Sequence, residues 1–169
     1  MQDEAQEKPR TERALGISAI KELVRGRHPR LFIDRVVDHE PGVFLKSLLA
    51  VSSQLDVMAG HLPERELMPG VILPGSHLMQ AFAQSGVLLY QLSTEPLADD
   101  EVTLVGTVKA RFKSVVVPGD QVILDVRADS FRGNAFLFSS SVTVEGRPVA
   151  AFRGTMSRAK IGTMGRPLW

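Results

Sequence analysis

The 169-residue sequence contains no cysteine. Disulfide bonds, thiolate nucleophiles and cysteine-ligated metal sites are therefore excluded, and the lack of disulfides is typical of a cytoplasmic protein. Long apolar runs are also missing: the longest apolar region, 78–92, is interrupted by glutamine, serine and glycine. It falls short of the roughly 18 apolar residues that a membrane-spanning helix needs. We therefore predict a cytoplasmic protein without a membrane span.

The charge has no dominant sign, since 20 basic residues face 19 acidic ones and the net charge is +1. Such a balance gives no basis for nucleic acid or an anionic membrane as a partner. The chain also lacks an HExxH pattern, a phosphate-binding glycine loop and a Gly-x-Ser-x-Gly elbow, so no metal site or serine hydrolase chemistry is predicted. With 44% hydrophobic residues, the chain can bury a sizeable core.

The pattern predicts one domain over 17–160, flanked by two tails. Residues 1–16 are charged, contain Pro9 and have little to bury, so they are predicted to be disordered. They lack the apolar segment of a signal peptide. Residues 161–169 are predicted to form a mobile C-terminal tail.

The predicted elements are two helices and six strands. Helical spacing of apolar residues predicts a short helix over 17–25 and a long one over 76–92, the second with Ser76 as its N-cap after Pro74-Gly75. The predicted strands are 31–37, 43–51, 103–117, 121–131, 135–144 and 149–156. Regular turns between the last four indicate an antiparallel meander. The fold class is therefore α+β, with a curved sheet wrapped around an apolar central helix.

His61 is the first candidate for chemistry. It lies in the turn sequence Gly60-His61-Leu62-Pro63, within a connection over 52–75 that is long for a compact domain. Long connections of this kind are usually functional or disordered. A histidine there is a candidate general base.

The helix that follows carries three polar residues on one face. His77, Gln80 and Gln84 recur at spacings of three and four, which places them side by side. Gln80 stands where an acid partner for a base would serve, but a carboxamide has no titratable proton. The first-turn position of His77 is expected to lower its pKa, because a helix N-terminus disfavours positive charge.

Four segments of the sequence, taken in order, carry a family resemblance. They are Ile20-Lys21-Glu22-Leu23 followed by Arg27-His28-Pro29 and Phe32-Ile33-Asp34-Arg35-Val36, then Gly60-His61-Leu62-Pro63, then Gln80-Ala81-Phe82-Ala83-Gln84, then Ala110-Arg111-Phe112-Lys113 with Val117-Pro118-Gly119-Asp120. Together they resemble the β-hydroxyacyl-acyl-carrier-protein dehydratases of fatty-acid synthesis, which have the hotdog fold. The second and third segments are similar to the family's Gly-His-Phe-Pro and Glu-Ala-Met-Ala-Gln elements. The resemblance covers about residues 17–158.

The resemblance implies roles for particular residues. His61 would be the catalytic base, and Gln80 occupies the position of the family's acid on the central helix. Backbone amides at the helix start, near Gly75, would polarise the thioester oxygen. His77 and Gln84 are expected to line the substrate pocket, although Gln84 also fits a structural role that ties the helix to the backbone.

The resemblance also implies partners. The substrate would be an acyl chain on the phosphopantetheine arm of an acyl carrier protein, with no other cofactor. The protein would be a homodimer, or a heterodimer with a paralogous hotdog subunit. Arg111 and Lys113, on either side of Phe112, are candidates for contact with the acidic carrier protein.

The missing acid leaves several functions open. Loss of a general acid typically costs about 10²–10⁴-fold in rate, and His77, Glu64 and Glu66 are candidate substitutes. The main prediction is a 3-hydroxyacyl-carrier-protein dehydratase of fatty-acid or polyketide synthesis. The alternatives are a weakly active partner subunit of a heterodimeric dehydratase, a double-bond isomerase that needs only His61, and a hotdog thioesterase.

Overall fold

The computed structural model describes residues 13–58 and 72–163. Its elements confirm the predicted α+β class, with two α-helices and six strands in the described ranges, together with 3-10 turns at Asp56–Met58 and Ile161–Thr163. The helices and strands, in chain order, are α1 (Ile17–Leu23), β1 (Arg35–Glu40), β2 (Phe44–Ala50), α2 (Gly75–Ser93), β3 (Glu101–Phe112), β4 (Gln121–Arg132), β5 (Ala135–Val144) and β6 (Arg147–Lys160).

The six strands form one antiparallel sheet in the order β1-β2-β4-β5-β6-β3. The predicted meander is correct for β4 to β6 but wrong for β3, which pairs with β6 rather than β4. The connection after β3 explains this order. Gly119 donates to the Val51 carbonyl at 2.9 Å and Val51 donates to the Asp120 carbonyl at 3.0 Å, which anchors the start of β4 beside the end of β2.

The strand predicted over 103–117 ends earlier, at Phe112. Lys113 and Ser114 both donate their amide protons to the Val149 carbonyl, at 2.9 and 3.3 Å, so the regular ladder stops there. Val116 is buried, and its carbonyl accepts from Leu73, the residue that leads into α2. Val116 therefore packs outside the sheet, whereas its neighbours Val115 and Val117 are exposed.

Helix α2 packs one face against the sheet and contacts five of its strands. Its buried residues are Leu78, Ala81, Phe82, Ser85, Gly86, Leu88, Leu89 and Tyr90. The Phe82 ring stacks on Phe138 and Phe152, with centroids 4.6 and 5.1 Å apart. Gly86 lets the helix approach closely, because a Cβ there would lie 2.3 Å from the Phe138 ring.

The N-cap of α2 is Pro74, not Ser76 as predicted. Pro74 has φ −58° and ψ 137°, and among the described residues no side chain makes a capping hydrogen bond to this helix start. Proline suits this position because its fixed φ matches and its missing N–H is not needed at a helix start. Ser76 lies inside the first turn and is exposed.

Part of the predicted N-terminal tail is held against the sheet. Leu15 and Val36 exchange two backbone hydrogen bonds, of 2.9 and 3.0 Å. The His39 Nδ1 atom lies 2.6 Å from the Arg13 carbonyl oxygen. The ordered domain therefore begins before the predicted boundary at residue 17. Among the helices of the described ranges, none is long and apolar enough to cross a membrane.

Candidate active site

A cleft of about 450 Å³ lies beside the first turns of α2. Its walls come from the segment 28–34, from the end of β2, from the turn at 54–57 and from three residues of the helix, Ser76, His77 and Gln80. Apolar side chains such as Leu55 and Val57 share this lining with polar ones. Mixed lining of this kind is typical of a small-molecule site.

Two of the predicted site residues, His77 and Gln80, meet in this cleft. Gln80 is exposed and His77 is half-buried. The His77 ring makes an edge contact with Phe32, with centroids 4.6 Å apart. Burial lowers the pKa of the His77 imidazole, so the ring is neutral at neutral pH. The predicted direction is correct, but its main cause is desolvation rather than the helix N-terminus.

Gln84 forms hydrogen bonds to the backbone of one wall of the cleft. Its Nε2 donates to the Arg30 carbonyl at 2.6 Å, and its Oε1 accepts from the Phe32 amide at 2.9 Å. Both ends of the carboxamide are therefore bound to backbone that lines the cleft. This contact also explains why the strand predicted over 31–37 begins only at Arg35.

Gly75 is the first residue of α2 and lies against the ring of Phe112. A Cβ at Gly75 would lie 2.7 Å from the Phe112 Cζ atom, so a side chain at this position would require the Phe112 ring to move. Phe112 remains 49% exposed and packs edge-on against Phe152, with centroids 5.7 Å apart. Its neighbours Arg111 and Lys113 are exposed at the end of β3.

The sequence interpretation missed two carboxylates, Asp34 and Asp56, that line the cleft. Asp34 Oδ2 accepts a hydrogen bond from the Ala50 amide at 2.7 Å. Asp56 begins the 3-10 turn that follows β2. Both could have been identified from the sequence, because Asp34 lies in the first family-like segment and Asp56 lies in the long connection over 52–75.

His61, Glu64 and Glu66 lie outside the described residues, so their predicted roles stay predictions. Across 13–58 and 72–163, no group of three or more histidine, cysteine, aspartate or glutamate side chains could hold a metal ion.

Comparison with known sequences gives a family match. The profile of the FabA-like domain matches residues 26–153. The chain is 48% identical over 166 residues to coronafacic acid dehydratase of Pseudomonas savastanoi pv. glycinea, covering 98% of each chain. It is 35% identical over 138 residues to the 3-hydroxyacyl-[acyl-carrier-protein] dehydratase FabZ of Colwellia psychrerythraea, covering 81% of this chain and 89% of that one.

Comparison with solved structures supports the predicted hotdog fold. The dehydratase heterocomplex ApeI:P of Xenorhabdus doucetiae superposes with a TM-score of 0.68 at 11% identity, over 83% of this chain and 91% of that one. A hot-dog-like protein of Thermanaerovibrio acidaminovorans superposes with a TM-score of 0.57 at 16% identity, over 72% and 84%. The predicted fold is confirmed.

Proposed function

Because the chain belongs to the FabA-like family of dehydratases, we propose that it removes water from a 3-hydroxyacyl thioester carried on an acyl carrier protein. The protein is a dehydratase of the fatty-acid or polyketide type, as the sequence predicted. The observation that carries the proposal is the end-to-end likeness to a dehydratase, which covers 98% of each chain.

In the proposed reaction, His61 removes a proton from the carbon next to the thioester carbonyl. The bond between the third carbon and its hydroxyl oxygen then breaks, the oxygen takes up a proton and leaves as water, and a double bond forms between the second and third carbons. Gln80 lines the cleft, and its carboxamide can donate to the hydroxyl and orient it. The backbone amide at Gly75 polarises the thioester oxygen, which stabilises the negative charge that develops there.

The reaction needs no cofactor beyond the arm of the substrate, because the thioester itself acidifies the neighbouring carbon. His77 and Gln84 shape the pocket, the first from its lining and the second through the backbone of Arg30 and Phe32. Arg111 and Lys113 are exposed cations that suit an acidic carrier protein. The proposal places the protein in the cytoplasm, with fatty-acid or polyketide synthesis.

The direct test is mass spectrometry of a 3-hydroxyacyl carrier protein incubated with the purified protein. We expect the acyl carrier protein to lose the mass of one water while the acyl group stays on the arm. The matched control is a carrier protein loaded with a saturated acyl group of equal chain length. Its mass should not change. Release of free acid and bare carrier protein would contradict the proposal and indicate a thioesterase.

The outer edge of β3 supports a dimer. β3 is a 12-residue strand at the end of the sheet, and its residues Leu104 and Val105 are 41% and 43% exposed. A long edge strand with exposed apolar side chains favours pairing with another chain. We propose that a second copy, or a paralogous hotdog subunit, covers this edge.

Replacing Val105 with lysine is expected to weaken the dimer by at least about tenfold, because the ammonium group would lose its hydration in the interface. Sedimentation velocity over a range of protein concentrations measures the effect. Val43→Lys is a matched control, since Val43 is 45% exposed but lies between β1 and β2. A Val105→Lys protein with the wild-type dimer affinity would contradict the proposed interface.

A further inference from the structure

On the basis of the dehydration proposed above, we infer that the acyl chain of the substrate carries a second oxygen, as a ketone or a carboxylate, and that Arg30 binds this oxygen. The second oxygen lies beyond the third carbon, on the side of the hydroxyl away from the thioester. Arg30 is thereby a residue that determines which acyl chain is accepted, and the substrate is an oxygenated, polyketide-type chain rather than a plain fatty one.

The proposed contacts of the substrate run along α2 from its start. In the proposed reaction, the Gly75 amide faces the thioester oxygen and the Gln80 carboxamide faces the hydroxyl of the third carbon. One helical turn later, about 6 Å further along the axis, Gln84 donates to the Arg30 carbonyl at 2.6 Å. Arg30 also lines the same cleft as Gln80. The acyl chain beyond the third carbon therefore meets the wall that contains Arg30, while the carrier arm approaches from the helix start.

Arg30 differs from the two arginines that precede it. Arg25 donates to the carbonyls of Ala98 and Asp99 at 3.3 and 3.2 Å. Arg27 donates to three backbone carbonyls of its own segment, at 2.8, 2.9 and 2.9 Å. The Arg30 guanidinium is exposed and, within the part of the chain that the structure describes, takes part in no hydrogen bond or ion pair. Its N–H donors are therefore available to a ligand.

The backbone of Arg30 is held in place although its side chain is free. Its amide donates to the Arg27 carbonyl at 2.5 Å, and its carbonyl accepts from Gln84. Two residues later, the Phe32 amide donates to Gln84 Oε1 at 2.9 Å, and the Phe32 ring packs edge-on against His77 of the cleft. A fixed backbone leaves only side-chain freedom to be lost on binding, which lowers the entropic cost of recognition.

The other charged groups of the cleft do not neutralise Arg30. Asp34 and Asp56 line the cleft as well, but neither forms an ion pair with Arg30. Both carboxylates repel a carboxylate on the substrate and have no such effect on a ketone, so the two kinds of second oxygen can be told apart. His28 is a further exposed lining residue, whose imidazole can donate a hydrogen bond. Arg30 is the only lysine or arginine among the described residues that line the cleft.

A saturated acyl chain gains little from this wall. It would displace water from polar side chains such as Arg30 and Gln54 without replacing their hydrogen bonds, which opposes binding. A ketone or carboxylate oxygen accepts from the guanidinium instead, and such charge-assisted hydrogen bonds are strong. Leu55 and Val57 supply apolar lining for the carbons between the two oxygens. The mixture of polar and apolar residues therefore matches an oxygenated chain.

The test measures kcat/KM for dehydration of matched pairs of 3-hydroxyacyl carrier proteins by the full-length protein. One pair is 3-hydroxy-6-oxoheptanoyl and 3-hydroxyheptanoyl, which differ by a ketone. The other is 3-hydroxyadipyl and 3-hydroxyhexanoyl, which differ by a carboxylate. We expect a preference of about tenfold for the oxygenated substrate in at least one pair, the effect of one hydrogen bond to a charged group. The pair that shows the preference identifies the second oxygen.

Variants then assign the preference to a side chain. In Arg30→Met the ratio of the two kcat/KM values should fall to about one, because methionine keeps the apolar stem but has no N–H donor. Arg30→Lys should keep part of the preference, because the positive charge remains. Arg35→Met is the matched control and should keep all of it, since it removes an exposed arginine at the start of β1, outside the cleft.

Three results overturn the inference and leave the proposed dehydration intact. The first is dehydration by the wild type with no preference in either pair, or with a preference for the saturated chains. The second is an equal loss of kcat/KM for both members of each pair in Arg30→Met, because Arg30 then binds the arm or supports the fold. The third is a preference that survives in Arg30→Met and is lost in His28→Asn. Dehydration of none of the substrates by the wild type overturns the proposed function itself.

Discussion

Replacing His61 with alanine is expected to lower the rate of dehydration by about 10²–10⁴-fold, the usual contribution of a positioned general base. The carbon next to a thioester is a weak acid, so its proton has to be taken by a group with a pKa near the working pH. An imidazole meets this requirement and a methyl group does not. The remaining rate would come from substrate binding and from the amides at the start of α2.

Single-turnover and steady-state kinetics with a 3-hydroxyacyl carrier protein measure this loss. His39→Ala is the control for removal of a histidine, because His39 lies on β1, where its Nδ1 is 2.6 Å from the Arg13 carbonyl oxygen, and does not line the cleft. We expect His39→Ala to keep its kcat. A His61→Ala protein with unchanged kcat would rule out His61 as the base.

Replacing Gly86 with alanine is expected to lower the free energy of unfolding by about 3 kcal/mol, at the upper end of typical overpacking costs. The added Cβ would lie 2.3, 2.6 and 2.8 Å from three atoms of the Phe138 ring. That ring is fully buried and stacked on Phe82 and Phe136, with centroids 4.6 and 5.1 Å away. The clash outweighs the roughly 1 kcal/mol by which alanine favours a helix over glycine.

Urea unfolding followed by circular dichroism measures this change. Gly162→Ala is the control, because a Cβ at Gly162 has no atom within 4 Å, and its stability should match the wild type. The double variant Gly86→Ala with Phe138→Leu should recover part of the loss by making room for the methyl group. Equal stability of Gly86→Ala and the wild type would mean that α2 does not approach the sheet so closely.

Local patterns in the sequence predict much of this fold. The long helix predicted over 76–92 is observed at Gly75–Ser93, and the strand predicted over 135–144 is observed with the same bounds. Helical periodicity and glycine-containing turns are short-range signals, so they need no knowledge of the partner. The position of β3 beside β6 was not predictable in this way, because it depends on backbone contacts such as those of Val51, far away in the chain.

Short-range signals in the sequence also predicted only part of the candidate site. His77 and Gln80 were predicted together because helical spacing alone places them on one face, and both line the cleft. Asp56 was missed because nothing within its own turn indicates that α2 lies beside it. The hydrogen bonds of Gln84 to Arg30 and Phe32 join residues more than fifty positions apart. The sequence analysis expected Gln84 to tie the helix to the backbone, but it did not identify Arg30 and Phe32 as the partners.

The strand order constrains how the chain can fold. β3 is synthesised before β4, β5 and β6, yet it pairs with β6, the last strand of the sheet. The hairpins β4–β5 and β5–β6 join neighbouring strands, so they close short loops and can form early. The contacts of β3 span longer loops and have to wait for residues 147–160 to leave the ribosome. Until then α2 has no complete sheet to cover its apolar face, and the nascent chain is at its most prone to aggregation.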